Sequence, residues 1–120
     1  MLTINAPHRL ICASYSMSLR ALRLKNIALS KLTPLNYLFG VSPPIKVTAL
    51  EWQEFYIDSE QPYRDLKIAA RDFEKASLRF EGDSNSYKFL DGIKYISGKG
   101  EVVLNFNPDF LHACLNCKIT

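Results

Sequence analysis

The sequence predicts an α+β domain built as a winged helix, with a helix-turn-helix followed by a β-hairpin wing. Three observations carry that prediction. Apolar residues recur at helical spacing through most of residues 16 to 76, interrupted by one short alternating stretch. Two of the helical segments are separated by only a few residues around Tyr56-Ile57-Asp58, the short connection of a helix-turn-helix. After Ala76 the period falls to two, with turn residues between alternating segments, as in hairpins.

Each element has a local reason. Residues 1 to 14 are mixed and read as extended. A helix follows, capped by the hydroxyl of Ser16 or Ser18, and runs to about Lys31 with Leu19, Leu22, Ala28, Leu29 and Leu32 as an imperfect apolar stripe. Thr33-Pro34 ends it, because proline disfavours helical geometry in the residue before it. Gly40-Val41-Ser42-Pro43-Pro44 reads as a loop, and Ile45-Lys46-Val47-Thr48 alternates like a strand with one buried face.

Thr48 and Glu51 form an S/T-x-x-E capping box, which starts a short helix through about Phe55, with Leu50, Trp52 and Phe55 expected to pack. Ser59 is expected to cap the next helix, from about Glu60 to Ala76, with Pro62 in its first turn, where a missing N–H costs nothing. Ser77 to Phe80 reads as a strand and Glu81 to Ser86 as a polar loop. Tyr87 to Ile96 and Glu101 to Phe106 then read as two strands joined through Ser97-Gly98-Lys99-Gly100, before a final short helix from Pro108 bearing Phe110 and Leu111.

The 120 residues are 48% hydrophobic, enough for one domain with a core of its own. A net charge of +3 is compatible with nucleic acid but does not establish it. No run approaches the roughly 18 apolar residues of a membrane span, and no signal peptide opens the chain, which is read as cytoplasmic. Three cysteines argue against a disulfide framework. Cys114 and Cys117 form a lone CxxC with too few nearby ligands for zinc, and read as small apolar residues of the terminal helix.

The helix beginning near Ser59 carries the functional signal. At about 100° per residue, Tyr63, Leu66, Ala70 and Phe73 form its apolar side, and Arg64, Lys67, Arg71 and Lys75 fall in an arc of roughly 80° on another side. Long cations on a rigid rod suit phosphate contact, but Asp65, Asp72, Glu60 and Glu74 nearby also allow a solvated face laced with ion pairs. Lys94 and Lys99 lie on or near the hairpin tip, either as a wing crossing a DNA backbone or as an ordinary exposed turn. Gln61, at the helix start, is the one candidate for adenine recognition, so backbone contact is favoured over base reading. His8 and His112 occur without a nucleophile motif, and Gly98-Lys99-Gly100 is too short for a phosphate-cradling loop. No catalytic, cofactor or metal residue is assigned, and the chain is read as a non-enzyme.

Three stretches resemble the initiator replication proteins of iteron-containing plasmids, over roughly residues 5 to 111. The first is 10–19 with Arg23-Leu24. The second is Val47-Thr48-Ala49-Leu50-Glu51-Trp52 followed by 62–70, in which Tyr63-Arg64-Asp65-Leu66-Lys67 is the most specific piece. The third joins 92–96, Gly98, Gly100-Glu101-Val102 and Phe106-Asn107-Pro108. The resemblance implies an initiator with two winged helices in tandem, whose dimers repress their own promoter and whose monomers bind origin repeats. The first domain would support dimerisation and backbone contact. Its implied partners are double-stranded DNA at origin repeats or an operator, a second copy of the chain, and host replication proteins, with no membrane. Carried over by position, Arg64, Lys67 and Arg71 would lie on the DNA-facing helix and Lys94 near the wing.

The sequence departs from the family pattern at Ala21-Leu22, at Pro62 and at Tyr56-Ile57, where a glycine usually follows the aromatic. The second winged helix is absent from these residues, so 1–120 is read as a single N-terminal domain. Two other readings stay open: a winged-helix transcriptional regulator of another kind, and a module that pairs through a sheet edge, Leu78 to Glu81 or Tyr87 to Tyr95, without binding DNA itself.

Overall fold

A computed structural model describes residues 14–15, 17–79, 84–96 and 98–115. Its elements in chain order are β1 (Ser14–Tyr15), α1 (Leu19–Leu29), α2 (Pro34–Phe39), β2 (Ile45–Thr48), α3 (Ala49–Phe55) and α4 (Pro62–Glu74). There follow β3 (Ser77–Arg79), β4 (Ser86–Lys88), β5 (Leu90–Ile96), β6 (Glu101–Phe106) and α5 (Pro108–Leu115). Helix, strand, two helices and the β5–β6 hairpin form a winged helix, to which the β1-β3-β4 sheet, the short helix α2 and the final helix α5 are added.

The strands form two antiparallel sheets, β2-β6-β5 and β1-β3-β4. In the first, Val102 sits between Val47 and Tyr95, and Leu104 between Ile45 and Ile93, so one face of the sheet is continuous with the core. Alternation along β2 and β6 is as the sequence predicts: Ile45, Val47, Val102, Leu104 and Phe106 are buried. α4 lies against β5, α1 against α4 and β2, and α2 against α5.

Local chemistry explains most boundaries. Ser18 caps α1, its Oγ accepting from the Ala21 N–H at 3.2 Å. The Thr48–Glu51 capping box forms in both directions: the Glu51 N–H donates to Thr48 Oγ1 at 3.1 Å, and the Thr48 N–H donates to Glu51 Oε1 at 3.2 Å. Lys31 adds an ion pair to the same carboxylate, Nζ to Oε2, at 2.6 Å.

Several expectations are corrected. Pro34 does more than end α1, since it opens the short helix α2 at its first turn. The buried face of α1 is Ala21, Leu24, Ile27 and Ala28, whereas Leu19 is exposed. Of the three residues expected to pack on α3 only Trp52 is buried, and Leu50 and Phe55 are 70% and 54% exposed. α4 begins at Pro62 without a side-chain cap, because the Ser59 hydroxyl is used elsewhere.

The expected strand from Tyr87 to Ile96 is two strands in different sheets, with the change at Phe89. The Phe89 ring is buried between Phe73 and Phe110, with centroids 5.2 and 5.1 Å away. Asn107 fastens the change of sheet, its N–H donating to the Phe89 carbonyl and its Nδ2 to the Lys88 carbonyl, both at 3.0 Å. β3 is the central strand of its sheet, so Leu78 offers no free edge, while β4 and β5 are edges. Phe80 to Asp83, Ser97 and Cys117 lie outside the described residues. Cys114 is buried in α5.

Candidate nucleic-acid interface

α4 separates its two roles by face. Leu66, Ala69, Ala70 and Phe73 are buried, and Arg64, Lys67, Arg71 and Lys75 are all exposed along the length of the helix. Tyr63 departs from its expected place in the core. It is 60% exposed, and its ring lies over Gly100 in the wing turn, so close that a β-carbon on Gly100 would collide with it.

The acids beside the basic stripe settle what the cations can pair with. Asp72 accepts from the Ser18 hydroxyl at 2.8 Å, and Asp65 pairs with Arg20 Nε at 3.1 Å, so both carboxylates turn toward α1. Asp65 also ends a buried polar chain. The Trp52 Nε1–H donates to Ser59 Oγ at 3.1 Å, and the Ser59 hydroxyl donates to the second Asp65 oxygen at 2.7 Å. The Ser59 hydrogen bond, followed by the Arg20 guanidinium, holds the Asp65 carboxyl below the usual carboxylate range, against the opposing effect of partial burial. The Ser59 hydroxyl therefore joins α3 to α4 instead of capping a helix, and Asp65 carries the connection on to α1 through Arg20.

The turn before α4 is held in a related way. The Arg23 guanidinium lies 4.5 Å from the centroid of the Tyr56 ring and pairs with Asp58 at 3.3 Å. The Tyr56 hydroxyl donates to the Arg23 carbonyl at 3.1 Å. These contacts lock the Tyr56–Asp58 turn onto α1 without the glycine that the resemblance led one to expect.

With Asp65 and Asp72 engaged by α1, none of Arg64, Lys67, Arg71 and Lys75 has an ion pair within 4.0 Å among the described residues. Arg64 does donate to Gln61 Oε1 at 3.4 Å, which occupies the acceptor of the one candidate for adenine recognition. The ion-pair-laced face that the sequence allowed is thus not the arrangement on α4.

The wing contributes unevenly. Lys99 is exposed in the β5–β6 turn, next to Gly100 and hence beside Tyr63 at the start of α4. Lys94 is exposed too, but successive strand residues face opposite sides of a sheet. Tyr95 faces α4, since Lys67 Nζ lies 5.4 Å from its ring centroid, so Lys94 projects from the other side of the sheet. Arg64, Lys67, Arg71 and Lys75 thus share one side of α4, Lys99 lies in the turn next to the first residues of that helix, and Lys94 projects away from it.

Sequence reasoning missed Tyr63, Tyr95 and Ser59 as residues that shape this surface. Helical spacing assigned Tyr63 to the core because position 63 borders that arc. Among the described residues no group of three or more His, Cys, Asp or Glu side chains gathers, and no helix is long and apolar enough to cross a membrane.

A family model described as "Initiator Replication protein, WH1" matches residues 3–119. Among solved structures, the chain is similar to the crystal structure of the MSBI1.176 WH1 domain, a replication protein isolated from a multiple sclerosis patient. The two are 14% identical, with a TM-score of 0.50, over 81% of this chain and 90% of that one, a likeness of fold. No curated protein matches the chain.

Proposed function

The chain belongs to the initiator replication protein family as a WH1 domain, and on that premise we propose that it binds double-stranded DNA through the phosphate backbone. The observation that carries this reading is the exposed stripe of Arg64, Lys67, Arg71 and Lys75 on α4, which makes no ion pair within 4.0 Å among the described residues because α1 engages the neighbouring carboxylates. Exposed cations that are not neutralised by a carboxylate of their own fold keep their charge for phosphate and release the counterions condensed on it. Lys99, exposed in the wing turn next to the start of α4, is the second contact this reading assigns. Lys94, on the far side of the sheet, serves only where a duplex wraps past the hairpin.

Origin repeats or an operator are the DNA this reading assigns, with specificity weak in this domain. Self-pairing is assigned to the open sheet edge along β5, whose outer backbone groups can accept a strand from a second copy. Binding, not catalysis, is the proposed mode of action, in the cytoplasm and alongside host replication proteins.

Affinity for a duplex measured against salt tests the proposal. Each phosphate neutralised steepens the slope of log K against log salt by about 0.9. The charge reversal Arg64→Glu, Lys67→Glu and Arg71→Glu is expected to abolish binding at moderate salt. Unchanged affinity and slope in that variant overturn the reading. Sedimentation of the wild type as a monomer at all concentrations overturns the self-pairing.

A further inference from the structure

The seam between α4 and the wing carries an inference that rests on the DNA-facing reading of α4. Tyr63 and Lys67 are one helical turn apart and both face the wing: Tyr63 lies over Gly100 in the turn, and Lys67 lies over the Tyr95 ring on β5. The turn is tied to the start of α3 as well, since the Ala49 N–H donates to the Gly100 carbonyl at 2.7 Å. Tyr95 is half-buried and packed against the core, so its ring is a fixed platform, whereas the Lys67 stem is long and exposed.

We infer that Tyr95 is a positioning residue for Lys67: its ring face holds the ammonium at the α4–wing seam, ready for phosphate. An ammonium within about 6 Å of a ring centroid is attracted by the negative ring face, which restricts the rotamers of a side chain otherwise free to scatter. A cation held in place gives up less freedom on binding. Lys67 is set apart from Arg64, Arg71 and Lys75 in this respect, because it sits at the edge of the stripe nearest β5.

A double-mutant cycle on duplex binding tests the inference, with Tyr95→Leu removing the ring, Tyr95→Phe keeping it, and Lys67→Met removing the charge. Tyr95→Leu is expected to weaken binding about 2- to 5-fold, because a Lys67 side chain no longer held by the ring has its rotamers to order on binding. Tyr95→Phe is expected to bind as the wild type does, and Tyr95→Leu to have no further effect once Lys67 is methionine. A loss caused merely by destabilisation would persist in the Lys67→Met background and appear as a lowered melting temperature. An additive cycle, or wild-type affinity in Tyr95→Leu, overturns the inference while leaving DNA binding by α4 intact. Lys67→Met binding as tightly as the wild type overturns the inference alone, whereas a wild type that does not bind duplex DNA brings down the reading of α4 and this inference with it.

Discussion

Gly98 and Gly100 share the wing turn and both have positive φ, +84° and +60°, yet their surroundings differ in a way that alanine can report. A β-carbon at Gly98 meets nothing within 4 Å, whereas one at Gly100 collides with the Tyr63 ring and crowds the Ala49 β-carbon at 3.3 Å. Left-handed backbone costs a residue with a β-carbon about 1–2 kcal/mol, and this cost applies at both positions. Forcing a methyl into an occupied space adds about 1–3 kcal/mol, toward the lower end here because the half-exposed Tyr63 ring can swing aside. Gly98→Ala should therefore lose about 1–2 kcal/mol and Gly100→Ala about 2–4 kcal/mol.

For a domain of this size each kcal/mol moves the melting temperature by about 4 °C. Thermal unfolding followed by circular dichroism should then place Gly100→Ala about 4–8 °C below Gly98→Ala. Combining Gly100→Ala with Tyr63→Ala removes the main obstacle and leaves only the Ala49 β-carbon at 3.3 Å, so in that background the cost of Gly100→Ala should fall toward that of Gly98→Ala. Equal melting temperatures for the two glycine variants would refute the claim that Tyr63 clamps the wing turn.

Three further outcomes are expected. Asp65 has a lowered folded pKa, so its contribution is present above its unfolded pKa of about 3.9 and is lost as pH falls through the lower folded value; Asp65→Asn should cost about 1–3 kcal/mol near neutral pH and flatten the acid side of a stability–pH profile. Phe89→Ala empties the site between Phe73 and Phe110 and should cost about 3–5 kcal/mol, read by urea unfolding. The Tyr37 hydroxyl is buried without a hydrogen-bond partner among the described residues, and burial pushes its pKa upward, so Tyr37→Phe should melt at or above the wild-type temperature.

The family premise and the basic stripe were both readable from residues in order along the chain. Arg64, Lys67, Arg71 and Lys75 share one side of α4 because helical geometry puts them there whatever surrounds the helix. Whether those cations were free could not be read the same way. Asp65 lies next to Arg64 in sequence but pairs with Arg20, and Asp72 follows Arg71 but bonds Ser18, both partners on a helix some fifty residues earlier. Lys94 shows the converse: its place near the hairpin tip was legible, but its side of the sheet follows from Tyr95 meeting α4.

Features with a short-range cause were settled by the chain itself. The Thr48–Glu51 capping box, the first-turn Pro62, the alternation of Val102, Leu104 and Phe106, and the sidedness of α4 each need only neighbours within about four residues. Features that compare distant partners awaited the packed molecule. Ser59 looked like a cap until Trp52 and Asp65 came within hydrogen-bond reach, and 87–96 looked like one strand until the pocket between Phe73 and Phe110 took Phe89. The winged helix was legible because its order of elements is local, while the free charge on its α4 surface arises from contacts between helices.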